Sequence, residues 1–318
     1  MPPALGFHRP ATRTASVRFM PHAFVTGASR GIGKAIAVHL ARAGFDVAVT
    51  ARTVADGEQR EHSSTLRASD MSPLPGSLQS TAALIEAAGV RSLTVPADLT
   101  DRASVAAAAE RVLAEWGPVD VLVNNGRYVG PGHMDRFVDT PLELIDLHLE
   151  ANVVAPLVLT KAVLPGMLER GSGVVVNVSS GAGTRDPDRP AGEGGWGLGY
   201  GITKGGLHRI AGLLQLELGA QGVRFFNVQP GFIGTERMAQ DMGQFAFDAT
   251  IAAPPDVVGA VVAWLVTNPE AAEQQVKGVD GRELESQDVC RELGLLPGWP
   301  AASSDVLRTR DERAGTAS

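Results

Sequence analysis

The chain has 318 residues, 44% of them apolar, and a formal net charge of −7. That length allows a sizeable core in one large α/β domain or two smaller ones, and an acidic balance in which no basic face stands out argues against a nucleic-acid-binding surface. One cysteine, Cys290, excludes an intrachain disulfide or a multi-cysteine metal site and fits a reducing, cytoplasmic setting. No histidine pairing of the H-E-x-x-H kind occurs, so no metal site is expected. No apolar run approaches the roughly 20 residues that cross a bilayer.

Residues 1–19 carry Arg9, Arg13 and Arg18, three prolines and no acid. They lack the apolar stretch of a secretory signal and read either as a disordered extension or as an upstream start with Met20 the true beginning. The first strand is expected at 23–25, followed by a glycine-rich turn and a helix in which Ile32, Ile36, Ala37 and Leu40 recur at helical spacing. A second strand at 46–51 meets Arg52, and residues 53–77 form a polar, proline-containing loop before a helix at 78–88. Strand 91–96 runs into Asp98 and Leu99, helix 101–116 follows, and strand 119–124 ends at two asparagines. An amphipathic helix at 140–150 should break near Asn152 and Pro156, with a further helix to about 168. Strand 174–178 enters Ser179 and Ser180; a Gly/Pro-rich loop at 181–199 precedes a long helix at 200–218. Strand 223–228, a loop with short helices at 232–253, helix 256–267 and a short strand at 275–279 complete a domain spanning 20–298, and 299–318 reads as a disordered tail. Helices alternating with continuous apolar strands specify an α/β, Rossmann-like doubly wound parallel sheet of about seven strands. Ligands in such sheets bind beyond the carboxyl ends of the strands.

Two stretches at those ends carry chemistry. The first, TGASRGIG at 26–33, feeds a strand into a helix through Gly27, Gly31 and Gly33. Unpaired backbone N–H groups and the positive end of the helix dipole then face outward, which suits a pyrophosphate. The second is the pair Tyr200 and Lys204, four apart on one helix face. A free phenol has a pKa of about 10, and a nearby ammonium favours the phenolate, making the tyrosine an acid–base group near neutrality.

TGASRGIG, Asp98, Asn152, Ser180, YGITK at 200–204 and PGFIGT at 230–235 follow one another in the order of the short-chain dehydrogenase/reductase family, and the chain resembles that family over about 21–280. The resemblance implies that Tyr200 exchanges a proton with the reacting oxygen. Lys204 would hold the nicotinamide ribose and lower the tyrosine pKa. Ser180, which opens S-x-x-G, would hydrogen-bond the reacting oxygen, and Asn152 would hold a water in a relay to Lys204. The competing readings are a turn cap for Ser180 and a helix N-cap for Asn152. Implied cofactor contacts are Gly27, Ser29, Arg30, Gly31, Ile32 and Gly33 in the glycine loop, Arg52, Asp98 and Leu99, and Asn125 and Gly126. Tyr200, Lys204, Pro230, Gly231, Ile233 and Thr235 complete them, with Asp98 near the adenine and Thr235 near the nicotinamide amide.

An acid ending the second strand selects NAD, whereas an arginine accommodates a 2′-phosphate. Here Ala51 takes the acid's place, Arg52 follows, and Arg30 adds a second guanidinium, so NADP(H) is expected over NAD(H). The family's N-N-A-G reads Asn124-Asn125-Gly126-Arg127, a change expected to reshape the loop at the adenine ribose. Ser180 and Tyr200 are twenty apart, longer than the family's usual spacing, and the extra loop carries Trp196. The 53–77 loop with its SPLPGS resembles an insertion in hydroxysteroid dehydrogenase-like members. Phe232, Met238, Met242, Phe245 and Phe247 suggest a hydrophobic substrate, and the family implies a homodimer or homotetramer. The expected activity is interconversion of a carbonyl and a secondary alcohol. The alternatives are a catalytically silent dinucleotide-binding regulator and a methyltransferase, which would not need the Tyr–Lys pair.

Overall fold

All residues of β1 (His22–Thr26), β2 (Asp46–Thr50), β4 (Val121–Asn124) and β5 (Gly173–Val178) are buried, as continuous apolar strands covered on both faces should be. The computed structural model describes residues 20–238, 251–276 and 282–299. In it these strands join β3 (Ser92–Thr94), β6 (Val223–Gln229) and β7 (Glu283–Glu285) in a seven-stranded sheet of order β3-β2-β1-β4-β5-β6-β7. Every pairing is parallel.

The pleat sends alternate side chains to opposite layers. Ala23 and Val25 join one apolar cluster with α1 (Gly31–Arg42), α2 (Leu78–Ala87), α7 (Asp256–Thr267) and α9 (Ser286–Leu293). Phe24 faces the other, formed with α3 (Arg102–Trp116), α5 (Ala155–Arg170) and α6 (Leu198–Leu218). Chain order reverses at β1, which has β2 on one side and β4 on the other. That topology opens a crevice at their carboxyl ends.

Two elements depart from the sequence reading. The helix expected to break near Asn152 instead runs on: α4 (Leu142–Leu149) passes through a π-helical stretch, Glu150–Val154, into α5. Pro156 falls in the first turn of α5, where its missing N–H and ring are accommodated by the wider turn before it. Together they form a 29-residue helix whose most apolar 18-residue window has a mean hydropathy of 1.5, long and apolar enough to cross a membrane by length and composition. Ala155, Leu159, Val163 and Met167, however, are spent on the core. The last strand among the described residues lies at Glu283–Glu285, and most of the strand expected at 275–279 falls outside them. Gln275 ends α8 (Pro269–Gln275), and 277–281 are outside the described residues. Only Leu284 of β7 is apolar, and it is fully buried, so apolar content gave no signal for this strand.

Candidate active site

Gly27 and Gly31 have φ of +66° and +53°, which only glycine adopts without strain. A Cβ on Gly33 would stand 2.2 Å from Gly27 O and 2.5 Å from Asn125 Nδ2, so the helix can start this close to β1 only with glycine there. Asn125 stitches the loop to β4: its Nδ2 donates to Thr26 O at 2.8 Å, while its N–H and that of Gly126 donate to Thr26 Oγ1. A Cβ on Gly126 would meet Leu99 Cδ1 at 2.5 Å, so an alanine here would require the Leu99 side chain to turn aside. At the start of α1 there is no side-chain cap and no acid in the first turn. Its first N–H groups are left for an anion.

The loop opens into a cavity of about 1790 Å³. Ser29, Arg30, Ile32, Arg52, Asp98 and Leu99 line it at one end, and Ser180, Tyr200, Pro230, Gly231, Ile233 and Thr235 further along. Lys204 and Asn152 do not line it; they are 3% and 1% exposed and sit behind its wall. Asp98 Oδ1 accepts from the N–H and hydroxyl of Thr100. Thr235 Oγ1 accepts from Met238 N–H, and its Cγ2 lies 3.2 Å from where a Gly31 Cβ would stand, so Thr235 covers the glycine loop. Arg52 has no hydrogen bond or ion pair from its side chain among the described residues. Arg30, by contrast, donates from Nε and Nη2 to the carbonyls of Leu74, Pro75 and Gly76 while still lining the cavity. Arg60, not anticipated, lines the same end and donates to Glu58 Oε2 and Arg52 O.

At the other end, Ser180 Oγ accepts from Ala182 N–H at 3.3 Å, capping a short turn while still facing the cavity. Ser179 instead donates to Glu283 Oε2 at 2.7 Å. Lys204, one turn from Tyr200 on α6, donates from Nζ to Val178 O at 2.7 Å and lies 5.9 Å from the Tyr200 ring centroid. Burial, with Arg127 adding to it, brings its pKa down to about 7. Asn152 is no N-cap. Its Oδ1 accepts from Tyr128 N–H at 2.7 Å and its Nδ2 donates to Thr203 Oγ1 at 2.9 Å, so its side chain has no direct bond to Lys204.

Arg127 lies at the Tyr200 end of the cavity: its guanidinium is 5.6 Å from the Tyr200 ring centroid and donates to Tyr128 O. Sequence reasoning missed Tyr128, His133 and His148. The His133 ring meets that of Tyr200 at 4.3 Å, and His148 packs on Tyr128 at 4.6 Å. Only the i, i+4 spacing of His148 and Asn152 on one helix carried any signal for them.

The two long loops wall the cavity. Ser64 O accepts from Met134 N–H, Leu66 N–H donates to Asp135, and Arg237 donates to His62 O and Ser64 Oγ. Residues 53–77 therefore bridge the loops that follow β4 and β6. Trp196, Phe232 and Met238 also line the cavity; Met242, Phe245 and Phe247 fall outside the described residues.

Comparison with protein families matches residues 21–72 and 71–244 to short chain dehydrogenase. A cyclohexanol dehydrogenase of Rhodococcus sp. (strain TK6) is 33% identical over 218 residues, 68% of this chain and 76% of the relative. Among solved structures, an alcohol dehydrogenase from the archaeon Thermococcus sibiricus complexed with 5-hydroxy-NADP superposes with a TM-score of 0.61 and 27% identity, over 84% of this chain and 96% of that one. A metagenomic short-chain oxidoreductase in complex with NADP gives 0.59 and 30%, over 78% and 90%.

Proposed function

This chain belongs to the short chain dehydrogenase family, and we propose that within it the protein is an NADP(H)-dependent oxidoreductase interconverting a carbonyl and a secondary alcohol. The observation that carries this reading is the cavity itself: Tyr200 and Ser180 line the same space as the glycine loop, with Lys204 one turn behind the tyrosine. The residues fit a dinucleotide. The glycines leave a cradle that a Cβ would fill, the N-terminus of α1 is uncapped, and Arg52 stands where a 2′-phosphate would need a cation. Bound there, the nicotinamide supplies or accepts the hydride.

Tyr200 donates the proton to the carbonyl oxygen in reduction and removes it in oxidation. Ser180 holds that oxygen by a hydrogen bond and stabilises its developing charge. Lys204 when protonated favours the phenolate through its charge. Asn152 acts through position, fixing Tyr128 and Thr203 around the tyrosine's helix. NADP over NAD rests on Arg52 alone, since Arg30 is engaged by the 74–76 carbonyls. Trp196, Phe232 and Met238 support an organic substrate with apolar surface.

Exposed Leu157 on α5 and Leu213 and Leu216 on α6 support a homodimer or homotetramer formed through those helices. A reducing cytoplasm is the proposed setting. The test is NADPH consumption with cyclic and aliphatic ketones by the wild type and Tyr200→Phe. The variant should lose at least about a hundredfold in kcat while binding NADPH normally; full activity without the phenol overturns the reading.

A further inference from the structure

One polar group at the catalytic end has no part in the chemistry above. His133 lines the cavity, and its ring meets the Tyr200 ring edge-on, 4.3 Å between centroids at 66°. Its main chain is pinned, because Gly197 N–H donates to His133 O at 2.8 Å. Behind it the His148 ring lies nearly parallel, 6.2 Å away at 16°. Packing thus fixes the His133 ring while its hydrogen-bonding capacity stays unspent: neither ring nitrogen has a partner among the described residues, and with Nδ1 closed off it is Nε2 that is left to the cavity. Burial, with Arg127, Arg237, His148 and Lys204 nearby, holds the imidazole neutral, far below its ordinary pKa. A neutral imidazole has one donor and one acceptor nitrogen.

We infer that His133 is a specificity-determining residue that hydrogen-bonds a second substrate oxygen, a hydroxyl or carbonyl on the carbon next to the reacting one. The site then selects vicinally dioxygenated substrates, α-hydroxy ketones and 1,2-diols, over simple ketones and alcohols. The inference rests on Tyr200 being the group that meets the reacting oxygen. An oxygen on the adjacent carbon lies within a hydrogen-bond length of the first, and His133 lines the same cavity in contact with the phenol ring. A site built to bond such an oxygen rejects the analogue lacking it, because the protein's own polar group is left unpaired.

The test uses the NADPH-loaded protein and a matched pair, cyclohexanone and 2-hydroxycyclohexanone. Wild type should favour the hydroxy ketone by about 10- to 100-fold in kcat/KM. His133→Phe keeps a ring against Tyr200 and removes both nitrogens; the preference should collapse to within about threefold of unity, and His133→Gln should restore part of it. An NADPH titration of each variant reports that it is folded, and His133→Leu decides the question if the phenylalanine does not bind. A wild type that turns over both ketones without preference, or a phenylalanine variant that keeps the preference, overturns the inference and leaves the Tyr200 reading standing. A wild type that binds NADPH and reduces neither ketone counts against that reading, and the inference falls with it.

Discussion

Arg30 Nη2 donates to Gly76 O at 2.8 Å, and a Cβ on Gly76 would stand 2.6 Å from Ser29 O. The end of the 53–77 loop is therefore seated directly on the glycine loop. Arg30 holds it there with its side chain, and Gly76 makes the approach possible with a φ of +97° that other residues rarely adopt. A guanidinium that looks from sequence like a phosphate ligand is used as a clamp.

The two arginines should consequently separate by experiment. Arg52→Ala removes the cation assigned to the 2′-phosphate and should weaken NADPH binding by about 10-fold or more, with NADH binding unchanged. Arg30→Ala acts through the seated loop and should weaken both cofactors alike. Dissociation constants for both cofactors and both variants check this, and equal losses for Arg52→Ala would remove the basis for NADP preference.

Gly33→Ala tests the cradle. The added methyl collides with Gly27 O and Asn125 Nδ2, so α1 must move away from β1. Overpacking of this kind costs about 1–3 kcal/mol, and the moved N–H groups no longer converge on the pyrophosphate. Calorimetry with and without NADPH should show a lowered melting temperature and no rise on adding cofactor.

His148 sets an acid limit. It is fully buried, and burial, reinforced by Arg127 and Arg237, brings its pKa from 6.5 to about 4. Because the folded value is the lower, the unfolded chain takes up the proton first as pH falls. Stability from this group is complete above pH 6.5 and is lost progressively down to about 4, by roughly 3 kcal/mol in all. Urea denaturation across that window should show the decline in wild type and a flatter profile for His148→Leu.

The sheet was legible because its strands are covered on both faces, so runs such as Val174–Val176 declare themselves without alternation. β7 was not, since its pairing to β6 is carried by backbone and its charged side chain finds a partner: Glu283 accepts from Ser179, with His208 Nδ1 3.2 Å away. The glycine turn and the Tyr200–Lys204 spacing are local patterns and Ser180 followed from the family resemblance; the structure sets the glycine loop, Ser180 and Tyr200 on one cavity. Arg127, His133 and His148 could not be read in this way, because the fold alone brings separate loops and helices around one phenol. The roles of Arg30 and of residues 53–77 depend on a long-range seating that no local pattern encodes.

The most direct measurement is a titration of the purified protein with NADPH and with NADH, followed by nicotinamide fluorescence. The account predicts saturable one-site binding of both, with NADPH tighter by about tenfold through Arg52. Binding of neither would contradict the claim that the glycine loop and its cavity form a dinucleotide site, and with it the proposed oxidoreductase.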